Sequence, residues 1–322
     1  MYFPYLRGRQ NELLCMRELL EVGKLSEKII PIIEPVRFNS TFFSTIAKFA
    51  DMNRNVIVIV NPKVGSFYKE YGDLKKKIEE EGDDNKKKKI QKTLDGYRDL
   101  LRAEHVQKAY IVDEQVITEI VNGKRDVKDA ILINFENGNY QYYEEYGDKL
   151  TAKITLIPKD EDFKDEVEGD IVVLEDGYVK AKRNIDYIES PDDFFSRNHT
   201  VYRKRGYVGF SDFSIVGNEF DESGFAPLAI AIHIMYFGNK KELRVHHFVS
   251  KSNESISDPA RKFEEAMRNL LSWEQFNIIP ETIGLNSLIE CYNAGRFPGL
   301  GVIKKYSLMH HIEMMGGYLG DE

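Results

Sequence analysis

The stretch that most limits what this chain can fold into is Ile29 to Val36, read IIPIIEPV, an apolar run broken by one carboxylate, Glu34, beside Pro35. A run this apolar suits a strand buried on both faces, as in a parallel sheet with helices outside it. Pro35 has no backbone donor, so the ladder is expected to stop there and leave Glu34 at the strand's C-terminal end. The same punctuation recurs: VIVIVNPK runs into Asn61 and Lys63, AYIVDE into Asp113 and Glu114, and VGFSDF into Asp212. Apolar strand followed by polar tip, repeated along one chain, predicts a (β/α)8-type barrel of the α/β class with a pocket at one mouth.

Eight runs qualify as strands: Tyr2–Leu6, Ile29–Val36, Asn55–Pro62, Ala109–Asp113, Ala130–Phe135, Ala152–Ile157, Ile171–Leu174 and Tyr207–Asp212. Helical stripes separate the first three, with Leu13, Met16 and Leu20 in one and Phe43, Ile46, Ala47 and Ala50 in the next, which Ser40 opens. That order favours right-handed parallel crossovers. The connections after Phe135 and Ile157 are short and poorly helical, so the barrel is expected to be irregular there. Lys69 to Ala103 is highly charged and predicts a helical excursion, peripheral and dispensable, with a solvated tip at Gly82 to Lys89. Ser190-Pro191-Asp192-Asp193 has the chemistry of a helix start.

After Val216 the pattern changes. Ala229–Phe237 and Leu243–Ser250 flank Gly238-Asn239-Lys240-Lys241 and predict a β-hairpin. Its apolar face, Ile230, Ile232, Ile234 and Tyr236 with Leu243, Val245, His247 and Val249 across from it, needs a cover, either helices of the same chain or a second copy in a homodimer. Asp258-Pro259 opens a helix carrying Phe263, Met267, Leu270 and Leu271, and Pro280 to Leu319 is mostly helical. Residues 1–216 are thus expected to form the barrel core, with 217–322 as a hairpin and helical extension packed on it in a single domain.

Composition narrows the function classes. Hydrophobic residues make up 42% and aromatics 12%, as in an ordinary globular protein. The net charge of −8 argues against broad electrostatic binding of nucleic acid. Cys15 and Cys291 are the only cysteines, too few for a disulfide framework or a cysteine zinc site, and both fit buried helical positions. No secretory leader and no apolar run of about 18 residues is visible, so a cytoplasmic protein without a membrane partner is expected. His233 with His246 or His247, and His310-His311, lack any metal-binding spacing, so hairpin surface or edge histidines are expected and no metal ligand is assigned. Glycine-rich phosphate loops and a nucleophile elbow are absent from the sequence.

YFPYLRGRQNEL at the start, PIIEP at the second strand and GFSDFSIVG before the hairpin resemble the bacterial and phage "beta protein" family. The late motif departs from the family pattern, with Ser211 before Asp212 and Phe213 in place of a tyrosine. The resemblance implies a barrel-like α/β fold and a setting among phage-related and mobile-element genes. It implies little chemistry.

In a barrel, the strand tips converge. Arg7, Arg9, Asn61 and Lys63 are the candidate substrate-binding residues, since guanidinium and ammonium groups grip phosphate or carboxylate. Glu34, Asp113 and Asp212 are the candidate catalytic residues, as acid or base or as oxygen ligands for Mg²⁺. Two functions follow. One is an enzyme acting on an anionic, phosphate- or nucleotide-like substrate, such as a hydrolase or phosphate-ester-acting enzyme. The other is a non-catalytic recognition protein that works with a protein partner in phage defence or a mobile element. Against both stands the plainer alternative that these groups pair with one another and close the barrel end.

Overall fold

The structure is a computed structural model and describes residues 1–221 and 226–320. Its strands are β1 (Tyr2–Leu6), β2 (Ile32–Ile33), β3 (Val56–Ile59), β4 (Val106–Ile111), β5 (Ile131–Ile133), β6 (Ile154–Pro158) and β7 (Ile171–Leu174). Then come β8 (Asp192–Ser196), β9 (Gly209–Asp212), β10 (Ala231–Phe237) and β11 (Leu243–Val249). Strands β1 to β7 and β9 close into an eight-stranded parallel barrel in that order. All eight expected runs supply its strands. β2 is far shorter than its apolar run because Pro31 and Pro35 flank it and neither can donate to the ladder. Its register is still fixed, Leu6 with Ile33 on one side and Ile33 with Val58 on the other.

The helices are α1 (Gln10–Glu21), α2 (Ser40–Asp51), α3 (Phe67–Glu80), α4 (Asp84–Leu100), α5 (Glu114–Val121), α6 (Tyr140–Tyr146), α7 (Glu161–Glu166) and α8 (Asn198–Val201). Those after β5 and β6 are the short α6 and α7, so the irregularity read from the sequence is present. The last three are α9 (Pro259–Leu271), α10 (Ile283–Asn293) and α11 (Leu300–Gly320).

The charged excursion is the helix pair α3 and α4. The break between them is confined to Glu81–Asp83, and Lys86 to Lys89 lie inside α4, so the tip is solvated as expected but helical from Asp84 onward. Asp83 caps α4 by accepting the Asn85 and Lys86 amides, which starts the helix before the lysine run. Its second half is not peripheral. Tyr97 is 5% exposed and packs in an aromatic cluster with Phe38, Phe42, Phe43, Phe67 and Tyr71.

Residue contacts divide the chain into two units. The first comprises Met1–Leu13, Ile30–Glu175 and Tyr202–Ser211, and holds the barrel strands up to Ser211. The second comprises Leu14–Ile29, Asp176–Val201 and the chain from Asp212 onward. Within the second, β10, β11 and β8 form an antiparallel sheet in that order. Ser190-Pro191 does not begin a helix, because the following residues pair with β11, Asp192 opposite His246 and Asp193 opposite Val245. Tertiary pairing outweighs the local capping signal.

The hairpin register sets Ile232 against Phe248 and Tyr236 against Arg244, so Leu243, Val245, His247 and Val249 belong to the opposite face from Ile232 and Tyr236. Ile230, Ile232, Ile234, Tyr236 and Phe248 share a buried cluster with Phe263, Met267, Leu270, Leu285, Leu288 and Ile303 of α9, α10 and α11. The face is therefore covered by helices of its own chain. In α11, His310 and His311 are fully buried. His310 donates from Nε2 to the Met235 carbonyl at 2.7 Å and accepts at Nδ1 from Thr282, the cap of α10, at 2.8 Å. Among the described residues, no helix is long and apolar enough to cross a membrane.

Candidate functional site

Parallel strands leave their C-terminal tips at one end of a barrel, and the first three tips meet at Glu34. The carboxylate is fully buried. Its Oε2 accepts from the Tyr5 hydroxyl at 2.7 Å and from the Arg7 guanidinium, while Oε1 accepts the Lys63 amide at 2.7 Å. Burial, with the negative charge and hydrogen bond of Glu34, holds the Tyr5 phenol well above its ordinary pKa. The Arg7 amide is bonded in turn by Glu12, a buried carboxylate in the first turn of α1. Two glycines let the chain approach this point. A Cβ on Gly8, at φ +60°, would lie 2.8 Å from the Glu34 carbonyl oxygen, and one on Gly65, at φ +71°, would lie 2.3 Å from that of Val36.

Asn61, just past β3, turns its amide to the neighbouring strand. Oδ1 accepts the Ile111 amide and Nδ2 donates to the Ile111 carbonyl, both at 2.8 Å, so the side chain serves as one more rung between β3 and β4. Lys63 forms an ion pair with Asp113, with side chains 46% and 32% exposed. Asp113 also caps α5 by accepting the Val116 amide at 2.8 Å. Partial burial pushes its pKa up, yet the Lys63 and amide hydrogen bonds outweigh that and hold it below the usual carboxylate range.

Similar ties continue around the ring. Asn134, past β5, donates to the Leu156 carbonyl of β6 at 3.1 Å and to the Tyr143 hydroxyl at 2.9 Å. Lys159 and Glu175, past β6 and β7, pair at 3.0 Å. Ser211 of β9 donates from its hydroxyl to the Phe3 carbonyl of β1 at 2.6 Å.

Of the expected site residues, the structure thus gathers Arg7 with Glu34, and Lys63 with both Glu34 and Asp113. Arg9 lies just past them, partly exposed. Asp212 ends β9 and is grouped with the second unit, where its Oδ1 accepts the Ser214 amide at 2.8 Å. Sequence reading missed Tyr5, Glu12, Asn134, Lys159 and Glu175. Tyr5 had a signal, since it shares a strand face with Arg7 two residues on. Lys159 and Glu175 each directly follow an apolar run and fit the strand-tip rule already applied elsewhere.

A second polar constellation sits in the antiparallel sheet. Asp192 accepts from Tyr236 at 2.6 Å, from Arg244 Nε at 2.6 Å and from His246 at 3.1 Å. These donors outweigh the effect of burial and keep its pKa low, while burial and Asp192 push the Tyr236 phenol up to about 12. Asp193, on the other face, takes His247 Nε2 at 3.2 Å, and His247 Nδ1 meets His233 Nδ1 at 2.7 Å. Of the hairpin histidines expected at the surface or an edge, His233 lies on β10, an edge strand of this sheet, whereas His247 lies on the central strand β11. His247 is 2% exposed, and burial lowers the pKa of both rings, His233 well below the ordinary value. Among the described residues, no group of three or more His, Cys, Asp and Glu side chains is placed to hold a metal ion.

No protein-family model matches the chain, and no curated protein is similar to it.

Proposed function

We infer that this chain works by recognition, on a barrel scaffold, and not by catalysis at the strand tips. The observation that carries this is the engagement of the carboxylates expected to do chemistry. Glu34 is bonded by Tyr5, Arg7 and Lys63, Asp113 by Lys63 and Val116, and Asp212 by Ser214. A general base or a Mg²⁺ ligand must direct an oxygen at the reactant or the ion. These oxygens are directed at donors of their own chain, which suits a rigid plate better than a reaction centre. The likeness to the "beta protein" family fits this function, because that family implies a barrel without a defined chemistry, and a partner in phage defence or a mobile element belongs to the same proposal.

One observation favours the anion-binding alternative. Lys63 and Lys159 are 46% and 42% exposed at the strand tips, and a phosphate could draw either from its carboxylate. Melting curves with a panel of nucleotides and phosphate esters, with and without Mg²⁺, separate the two. Recognition predicts no turnover and no nucleotide-dependent stabilisation that depends on Lys63. Turnover, or a rise in melting temperature abolished by Lys63→Ala, overturns it.

A further inference from the structure

We propose that the pocket built around Trp273 in the antiparallel-sheet unit binds a pyranose ring of a neutral sugar. This deepens the recognition function and rests on it.

The pocket holds about 350 Å³, at the small end of ligand sites and suited to one ring of a glycan. One side is aromatic. Trp273 lies 4.5 Å from His246, with ring planes at 36°, and 5.1 Å from Tyr236 in an edge-on contact. Beside Gly238 and the apolar Ile278, the rest of the lining is planar and polar: Asp192, Arg244 and Glu242 with the exposed amides of Asn239 and Gln275.

The charge pattern selects the ligand. Arg244 is committed to Asp192, which also takes Tyr236 and His246, and Glu242 accepts the Lys240 amide. An anion would meet two carboxylates and find the guanidinium already paired. A cation would find the oxygens of Asp192 already taken by Arg244, Tyr236 and His246, and Glu242 Oε2 taken by the Lys240 amide. A neutral ligand with many hydroxyls meets neither obstacle. A pyranose has a C–H face that lies flat on an indole and a rim of hydroxyls, each both donor and acceptor. Carboxamides at Asn239 and Gln275 answer such a rim, since each offers a donor and an acceptor in one plane. A nucleoside shares the flat face but presents fewer hydroxyls, so it is the competitor that the experiment must exclude.

Trp273 is the only tryptophan, so fluorescence reports this pocket alone. The intact chain is titrated with neutral mono- and oligosaccharides, with nucleosides and with inorganic phosphate. The expected result is a saturable change with at least one neutral sugar, absent with phosphate. Asn239→Ala and Gln275→Ala, both at exposed positions, should each weaken that binding about tenfold, the effect of losing one good hydrogen bond. Calorimetry on Trp273→Phe should show weaker binding of the same sugar. No sugar response at millimolar concentration, a response to nucleosides instead, or sugar binding indifferent to both amide variants overturns the proposal. Those outcomes leave recognition itself standing, which fails only on turnover or Lys63-dependent stabilisation at the strand tips.

Discussion

Asn61 is bonded twice to Ile111, side-chain carbonyl to backbone amide and side-chain amine to backbone carbonyl, each at 2.8 Å. An asparagine at a strand tip invites a ligand-binding role, but here both halves of the amide extend a ladder. Asn61→Asp keeps the shape, removes the donor and sets a carboxylate against the Ile111 carbonyl. The expected loss is about 1–3 kcal/mol in urea unfolding, the cost of a buried polar group left unpaired. An unchanged midpoint would return Asn61 to the list of ligand-binding candidates.

The buried pair of Arg7 and Glu34 gives a larger effect. Removing one partner leaves the other charge buried without this contact, so Arg7→Met and Glu34→Gln are each expected to cost about 3–5 kcal/mol. The two losses should not add, because both variants break the same contact. If either variant melts like the parent protein, the network is not structural and a ligand becomes its better explanation.

Gly65 and Gly123 make a controlled comparison. Both have positive φ, +71° and +69°, but a Cβ at Gly65 would strike the Val36 backbone, while one at Gly123 meets nothing within 4 Å. Gly123→Ala should cost only the left-handed strain, about 1–2 kcal/mol. Gly65→Ala must also displace the chain beyond β2 and should cost clearly more. Equal urea midpoints for the two variants would refute the close packing at Val36.

Acid should unfold the protein in a defined window. Burial holds His310 at about 4, and it lowers His247 as well, against an ordinary value of 6.5. Such a group binds its proton in the unfolded chain first. The stability it contributes is complete above pH 6.5 and falls as the pH drops toward the folded value, by up to about 1.4 kcal/mol per pH unit for each ring. Unfolding midpoints at pH 7, 6 and 5 should therefore decline steeply, and His310→Gln should flatten the decline. A midpoint independent of pH across that range would show that these rings take up protons in the fold as readily as in the unfolded chain.

Much of the fold was legible because the relevant signals are local. IIPIIEPV, VIVIVNPK and AYIVDE each carry a run too apolar for a half-exposed strand and stop at a polar residue, and all three became barrel strands. The misreadings arose where a partner distant in sequence decides. Ser190-Pro191 looks like a helix cap until β11 claims Asp192. His247 looks like a surface residue until Asp193, His233 and Tyr187 enclose it. At the strand tips the sequence supplied the residue types but not their partners. Nothing within the sequence near Glu34 says that Tyr5 and the Lys63 amide fill its oxygens.

The ties at Glu34 also have an order in time. Tyr5, Arg7, Glu34 and Lys63 all lie within the first 63 residues, whereas the bond that joins the last barrel strand to the first links Ser211 to Phe3 across 208 positions. Proteins emerge from the ribosome N-terminus first, so one sector of the ring can lock while most of the chain is still unmade. Translation then adds strands to a seeded edge, and circularisation waits for Ser211. Nascent chains halted soon after α2 and β3 clear the exit tunnel should already resist proteolysis around Glu34. If they are cut there as readily as a random coil, assembly is a single late event.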